Sequence, residues 1–105
     1  MDLTSRVALL TGARRIGAVV ATALSARGAD VVLTYNQSRR EADEAAAAVR
    51  ASGRRALVLQ ADVSDAGAWT AVMREIESEF GRLDVVVAMA SRYHEVAFDD
   101  LDLAE

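Results

Sequence analysis

The chain has 105 residues, of which 52% are hydrophobic, and this size and composition describe one domain, or part of one, with a packed core. A formal net charge of −4 argues against a general nucleic-acid surface, and no apolar run reaches the ~20 residues that span a bilayer. The amino terminus does not have the pattern of a secretory signal, cysteine is absent and histidine occurs once. We therefore expect a cytoplasmic protein without a membrane anchor and without disulfide, thiolate or clustered metal-ligand chemistry. All 12 basic residues are arginine, which removes any mechanism that needs a lysine amine within this chain.

The first predicted element is a strand that begins at Val7 and stops at the pair Thr11 and Gly12. A turn then leads to Gly17, where helical spacing begins. The expected buried face of this helix consists of Ile16, Val19, Val20, Ala23 and Leu24. Strand, glycine turn and helix form the layout that sets backbone N–H groups and a helix N-terminus against a phosphate. Taken alone, the stretch also fits glycines that are present for steric reasons only.

The second strand is predicted at Asp30–Tyr35, after a helix stop at Gly28. Ser38 is a plausible N-cap of the next helix, with Glu41 completing a capping box. The small apolar residues of this helix are spaced to form one slim buried face, made of Ala42, Ala45, Ala46 and Val49.

The third strand is predicted at Ala56–Gln60, and its continuous apolar run indicates burial on both faces. A loop with good N-cap residues precedes a helix whose core face is Trp69, Val72, Met73, Ile76 and Phe80. Three acidic residues on that helix are interpreted as solvated rather than as a metal site: Glu75, Glu77 and Glu79. A fourth strand is predicted at Leu83–Ala90, and a further helix at Phe98–Ala104.

The resulting order β-α-β-α-β-α-β, with short connections, predicts an α/β fold with a Rossmann-like parallel sheet and right-handed crossovers. A ligand of such a fold binds outside the carboxyl ends of the strands, where the strand order reverses. Four stretches are expected to meet at that edge: Thr11–Gly17, Tyr35–Ser38, Asp62–Val63 and Ala88–Ser91.

These stretches resemble the amino-terminal half of a short-chain dehydrogenase/reductase, over nearly the whole chain. Residues 7–12 resemble the family's first strand and glycine turn, and Ala61-Asp62-Val63 resembles its adenine-side Asp-Val. Residues 81–87 resemble its fourth strand, and residues 88–91 its Asn-Asn-Ala-Gly segment. Within the family, residues 14–17, 35–38 and 90–93 are most similar to pteridine-reductase-like members.

The chain departs from the family pattern at two places. The family's turn usually reads TGxxxGxG, whereas here only four residues separate Gly12 from Gly17, and Arg15 falls where a middle glycine is common. Ala88 replaces the first asparagine of the Asn-Asn-Ala-Gly segment. The first departure affects the geometry of the phosphate turn, and the second removes a polar brace between neighbouring strands.

The nucleotide expected from the residues is NADP(H) rather than NAD(H). An NAD site of this type has an acid at the end of the second strand to bind the ribose 2′-hydroxyl, and residues 34–37 contain none. Arg14, Arg15, Ser38 and Arg39 are placed in sequence to bind a 2′-phosphate. The alternative is that Arg39 and Arg40 belong to a solvated helix face.

By resemblance and position together, sixteen residues are expected to contact the cofactor: Gly12, Arg14, Arg15, Ile16, Gly17, Tyr35, Asn36, Gln37, Ser38, Arg39, Asp62, Val63, Ala88, Met89, Ala90 and Ser91.

The resemblance implies hydride transfer between nicotinamide and a carbonyl or imine, with a tyrosine and a lysine four residues later as catalytic groups. Tyr93 is followed at that spacing by Ala97, and Tyr35 by Arg39 at the adenosine end, so no catalytic residue is expected here. We therefore expect residues 1–105 to be an incomplete NAD(P)-binding domain that lacks its second half and is inactive alone.

Truncation at this point would leave the fourth strand as an open apolar edge. A substrate would then bind only with the missing half, and a second copy of the chain is one way to cover the edge. The alternative function is a non-catalytic nucleotide-binding or self-associating module. A third hypothesis is an inert fragment whose shortened turn binds nothing.

Overall fold

A computed structural model describes residues 3–11, 17–37, 39–62 and 65–88 of the chain. Four strands and three helices alternate along the chain: β1 (Val7–Thr11), α1 (Gly17–Ala26), β2 (Asp30–Tyr35), α2 (Arg39–Ala51), β3 (Ala56–Gln60), α3 (Ala66–Glu79) and β4 (Val85–Ala88). All pairings are parallel, and the strands of the described sheet lie in the order β3-β2-β1-β4. The predicted α/β class and the reversal of strand order beside β1 are therefore confirmed.

The core has two halves, one on each face of the sheet. On one face, α1 and α2 pack against Leu10, Val31 and Leu33. On the other face, α3 packs through Val72 and Ile76 against a second apolar cluster that includes residues of β1 and β2. The crossover between β3 and β4 therefore lies on the opposite face from the first two crossovers. This arrangement is what leaves a crevice at the carboxyl ends of β1 and β4 in a doubly wound sheet.

The buried face of α2 is as predicted, with Ala42, Ala45, Ala46 and Val49 fully buried. The predicted face of α1 is wrong in part, because Val19 is 68% exposed and Ala23 is also exposed. The residues that α1 buries are Gly17, Ala21 and Ser25, with Val20 and Leu24 partly buried. Small residues four apart let this helix approach α2 and the sheet closely, so its contact face is not marked by bulky apolar side chains.

Two further burial predictions are corrected by the sheet order and by helix geometry. Strand β3 is half-buried rather than buried on both faces, because it pairs only with β2 at one edge of the described sheet. On α3, Met73 is 37% exposed, so the core face is narrower than predicted.

Strand β4 begins at Val85, two residues later than predicted, since Leu83 and Asp84 precede it. Residues 89–90 and the helix predicted at 98–104 lie outside the described residues.

Helix ends follow the sequence signals where the structure describes them. Asp65 is the N-cap of α3, and its carboxylate accepts a hydrogen bond from the Gly67 N–H at 2.9 Å. Gly28, after α1, has a φ of +100° and lies close to the backbone of Thr4. Helix α2 begins at Arg39, directly after Ser38, the predicted cap, which is outside the described residues.

The amino ends of the strands are held by charged side chains. The Asp84 carboxylate accepts a hydrogen bond from the Val7 N–H at 2.9 Å and binds both the Nε and an Nη of Arg82 at 2.9 and 2.8 Å. Asp30 accepts a hydrogen bond from the Arg55 N–H at 2.9 Å and pairs with Arg54 at 3.4 Å. These contacts fix the end of the sheet that faces away from the predicted ligand edge.

Candidate functional site

The carboxyl ends of the four strands meet at one edge of the sheet. Thr11, at the end of β1, is paired in register with Ala88 of β4, and Tyr35, at the end of β2, with Gln60 of β3. The Ala61 N–H donates to the Tyr35 carbonyl at 2.8 Å, which extends the β2–β3 ladder one residue beyond the strands. The predicted convergence of these strand ends is therefore present in the described residues.

Seven of the sixteen predicted cofactor residues lie in the described part of the chain. Gly17 is the buried first residue of α1, and Tyr35 is 8% exposed at the end of β2. The others are exposed on the same edge of the fold: Asn36, Gln37, Arg39, Asp62 and Ala88. The remaining nine lie outside the described residues: Gly12, Arg14, Arg15, Ile16, Ser38, Val63, Met89, Ala90 and Ser91.

Arg39, the first residue of α2, is a positively charged residue close to the carboxyl end of β2. Its Nη1 donates to the Tyr35 hydroxyl at 3.3 Å, and the guanidinium carbon lies 5.9 Å from the centre of the Tyr35 ring. Its Nε donates to an Asp43 carboxylate oxygen at 3.4 Å. Tyr35, and then Asp43, raise the pKa of the Arg39 guanidinium above its ordinary value. The side chain is 69% exposed, so these contacts orient the charge without removing it from solvent.

An open cleft of about 450 Å³ lies beside this arginine at the start of α2. Its lining residues are Gln37, Arg39, Arg40, Glu41 and Glu44. The two arginines and two glutamates cancel in formal charge, so the cleft is not a broadly positive surface. An anion bound here would depend on directed hydrogen bonds from arginine and on the partial positive charge at the N-terminus of α2.

The side chains that follow β2 at this edge carry hydroxyl, amide and guanidinium groups. Tyr35, Asn36 and Gln37 follow the second strand, and no carboxylate stands among them to accept hydrogen bonds from a 2′-hydroxyl. Arg39 offers a planar set of N–H donors, of which Nη1 binds the Tyr35 hydroxyl and Nε binds the Asp43 carboxylate. The phosphate turn itself, between Gly12 and Gly17, lies outside the described residues.

Two residues that bind residues of this edge were not singled out in the sequence. Asp43 pairs with Arg39, and its spacing of four residues along α2 is a signal from which the pair could have been predicted. Gln60 donates from Nε2 to the Asn36 carbonyl at 3.3 Å and ties the β2 turn to β3, a contact that depends on strand register. Strand β4 lies at the other edge of the described sheet from β3, and its Val86 is 53% exposed.

Within residues 3–11, 17–37, 39–62 and 65–88, no group of three or more His, Cys, Asp or Glu side chains is arranged to hold a metal ion. None of the described helices is long and apolar enough to cross a membrane.

Comparison with known proteins places this geometry in a family. Residues 6–105 match the family model described as short chain dehydrogenase. Versicolorin reductase 1 of Aspergillus parasiticus is 45% identical over 89 residues, which cover 84% of this chain and 34% of that protein. A short chain dehydrogenase from Burkholderia cenocepacia J2315, solved in complex with NADP, is 39% identical with a TM-score of 0.80. That likeness covers 96% of this chain and 42% of the solved one.

A solved structure with the other dinucleotide is also similar. NAD⁺-bound xylitol dehydrogenase is 28% identical with a TM-score of 0.75, over 82% of this chain and 33% of the solved one. The chain therefore spans about a third of the length of the curated relative, and 42% and 33% of these two solved chains. With its motifs in order, its sheet confirmed and its sequence matched from residue 6 to residue 105, the chain belongs to the short-chain dehydrogenase/reductase family.

Proposed function

We propose that this chain is the NADP(H)-binding portion of a short-chain oxidoreductase that transfers hydride between nicotinamide and a carbonyl or imine substrate. The proposal is supported by family membership, by the convergence of four strand ends at one edge, and by NADP in a similar solved structure. The alternative of a non-catalytic nucleotide-binding or self-associating module has no comparable support from the relatives.

The observation that carries the NADP(H) preference is the Tyr35–Arg39 arrangement at the end of β2. The strand end offers no acid for a ribose diol, and the Arg39 guanidinium is held at this end by the Tyr35 hydroxyl. A phosphate that replaced the 2′-hydroxyl would gain a charge-assisted hydrogen bond, which contributes about 1.5–3 kcal/mol, or roughly tenfold or more in affinity.

The remaining cofactor contacts in the proposal come from the resemblance. Gly12 and Gly17 would bound the phosphate turn, Asp62 and Val63 would lie at the adenine, and residues 88–91 would lie toward the nicotinamide. Arg14, Arg15 and Ser38 would supplement Arg39 at the 2′-phosphate. The chemistry that such a cofactor supplies is hydride transfer.

Other elements of the function are also proposals. The pteridine-reductase-like subgroup stays a prediction that the relatives do not specify. A cytoplasmic location is supported by the absence of cysteine from the sequence.

Two matched substitutions at the start of α2 test the proposal. Arg39 and Arg40 are neighbouring arginines with partners at the same spacing, Asp43 and Glu44, each at 3.4 Å. Arg39 contacts Tyr35, whereas the Arg40 side chain is 90% exposed. The dissociation constants of NADPH and NADH are measured by calorimetry for the wild-type chain, Arg39→Ala and Arg40→Ala.

We expect Arg39→Ala to weaken NADPH binding about tenfold and to leave NADH binding nearly unchanged, because only NADPH carries the 2′-phosphate. Arg40→Ala should have a much smaller effect on either nucleotide. Equal losses of NADPH and NADH affinity in Arg39→Ala would show that this arginine does not recognise the 2′-phosphate, and the assignment of NADP(H) would be wrong.

A further inference from the structure

We propose that Asp43 is a specificity-determining residue, whose carboxylate competes with a 2′-phosphate for the Arg39 guanidinium and so limits the preference for NADPH over NADH. Tyr35 is the opposing positioning residue, since its hydroxyl holds the same guanidinium at the end of β2. This inference rests on the proposed function and adds two residues that set how strongly Arg39 discriminates between the nucleotides.

The two partners of Arg39 lie on opposite sides of it along the chain. Tyr35 is the last residue of β2, at the edge where the four strands end. Asp43 is one helical turn further along α2 from Arg39, away from that edge. The guanidinium is thus shared between an anchor at the strand end, through Nη1 at 3.3 Å, and a carboxylate on the helix, through Nε at 3.4 Å.

The two partners of Arg39 differ in burial: Tyr35 is buried and Asp43 is exposed. Tyr35 is 8% exposed, and its ring belongs to the apolar cluster beneath α1 and α2, so its hydroxyl has a fixed position. The Asp43 side chain is 53% exposed, so an anion bound beside it would interact with its carboxylate through solvent. Tyr35 therefore orients the Arg39 guanidinium through a hydroxyl, whereas the Asp43 carboxylate partly neutralises the positive charge of that guanidinium.

Removing the Asp43 charge strengthens NADPH binding in two ways. The first is that the Arg39 guanidinium no longer has a competing acceptor; an exposed ion pair at this spacing is worth roughly a twofold change in binding affinity. A 2′-phosphate, with a charge of about −1.5 to −2, also loses the repulsion of a neighbouring carboxylate. NADH carries no 2′-phosphate and feels neither change at this position. The combined effect on NADPH binding is about three- to fivefold.

The neighbouring Arg40–Glu44 pair is a control for general charge effects. It has the same spacing and the same 3.4 Å separation, and Glu44 also lines the cleft. Glu44→Gln therefore removes one negative charge from the same cleft without removing a partner of Arg39.

The test measures NADPH and NADH dissociation constants by calorimetry for the full 105-residue chain and for Asp43→Asn, Glu44→Gln and Tyr35→Phe. Asp43→Asn should bind NADPH about three- to fivefold more tightly, with NADH unchanged, and the gain should shrink at high salt. Tyr35→Phe keeps the ring but removes the hydroxyl, and should lower the NADPH preference by about twofold. Glu44→Gln, which removes a repelling charge but no partner of Arg39, should raise the preference by clearly less than Asp43→Asn does.

The possible failures are distinguishable. If the wild type prefers NADPH but Asp43→Asn leaves the preference unchanged or lowers it, the inference is wrong and the proposed function stands. An equal gain in Glu44→Gln would show a general charge effect and would also overturn the role of Asp43. If the folded wild type binds neither nucleotide, or binds both equally, the proposed function fails and the inference fails with it.

Discussion

Asp84 and Val7 bind each other through two hydrogen bonds at the amino ends of β4 and β1. The Val7 N–H donates to the Asp84 carboxylate, and the Asp84 N–H donates to the Val7 carbonyl, both at 2.9 Å. This reciprocal contact precedes the ladder that pairs Ala8 with Val85 and, at its far end, Thr11 with Ala88. A side chain at one end of the sheet thus helps to set the register that brings two predicted cofactor segments together at the other.

The same carboxylate predicts a pH dependence of stability. Hydrogen bonds from Arg82 and from the Val7 N–H lower the pKa of Asp84 from 3.8 to about 2. Between about pH 4 and pH 2 the unfolded chain therefore binds a proton that the folded chain does not, so stability rises with pH in this window. The stabilisation is complete above the unfolded pKa and is lost as the pH falls through the folded one.

Asp84→Asn should lower the melting temperature near neutral pH and flatten the loss of stability below about pH 4. Thermal denaturation followed across this pH range measures both effects. Glu77→Gln, which removes an exposed carboxylate from α3, is the control and should leave the slope unchanged. An unchanged slope in Asp84→Asn would show that this carboxylate does not stabilise the folded state.

We expect a single methyl group added at Gly28 to lower the free energy of unfolding substantially. Its φ is +100°, and a Cβ at this position would lie 2.7 Å from the Thr4 Cα and 3.0 Å from the Thr4 nitrogen. Backbone atoms cannot move aside as the end of a flexible side chain does. Gly28→Ala should therefore destabilise the chain by about 2–4 kcal/mol, as measured by urea denaturation.

Gly53 provides the matched control, since its φ is +82° but no described atom lies within 4 Å of an added Cβ. Gly53→Ala should cost only the backbone strain, about 1–2 kcal/mol. Equal losses for the two variants would mean that the contact with Thr4 contributes nothing beyond strain.

We expect the substitution Thr34→Val to stabilise the folded chain. Its side chain is fully buried in β2, and its hydroxyl has no hydrogen-bond partner in the described structure. A buried hydroxyl without a partner loses its hydration uncompensated, so Thr34→Val should raise the free energy of unfolding by about 1 kcal/mol. Thr34→Ser keeps the hydroxyl and removes a methyl group, and should lower it by about as much. A destabilised Thr34→Val would indicate that the hydroxyl is satisfied.

The absence of lysine predicts that the isolated chain does not catalyse hydride transfer. The family resemblance implies a tyrosine and a lysine four residues later, and this chain has no lysine anywhere. We expect no loss of NADPH absorbance above background when the chain is incubated with NADPH and a panel of carbonyl compounds. Turnover that survives purification would contradict the expected inactivity. Loss of that turnover in Tyr35→Phe would also contradict the location of Tyr35 at the adenosine end.

Much of the fold was predictable because it depends on local periodicity. The alanines and Val49 of α2 alternate with charged residues at helical spacing, and they form the buried face as predicted. The face of α1 was harder to predict, because the contact is made by Gly17, Ala21 and Ser25 rather than by its valines. Strand β3 has the apolar run of a central strand but lies at an edge, since strand order depends on crossovers and not on composition.

The meeting point of the strand ends was predictable, and the contacts of the candidate site residues were less so. Parallel strands bring their carboxyl ends to one edge whatever the side chains are, so the position of Tyr35 and Ala88 could be inferred. The contact between Tyr35 and Arg39 crosses a strand–helix junction and depends on the path of residues 36–38, which spacing alone does not define. The pair of Arg39 with Asp43 follows from helix geometry and could have been predicted.

The proposed role of this edge of the sheet is to bind a nicotinamide dinucleotide and to recognise its 2′-phosphate. The most direct measurement is a calorimetric titration of the folded 105-residue chain with NADPH and, under the same conditions, with NADH. We expect saturable binding of NADPH that is about tenfold or more tighter than that of NADH and that weakens as salt is added. NADH affinity equal to or greater than that of NADPH, or no binding of either nucleotide by the folded chain, would contradict it.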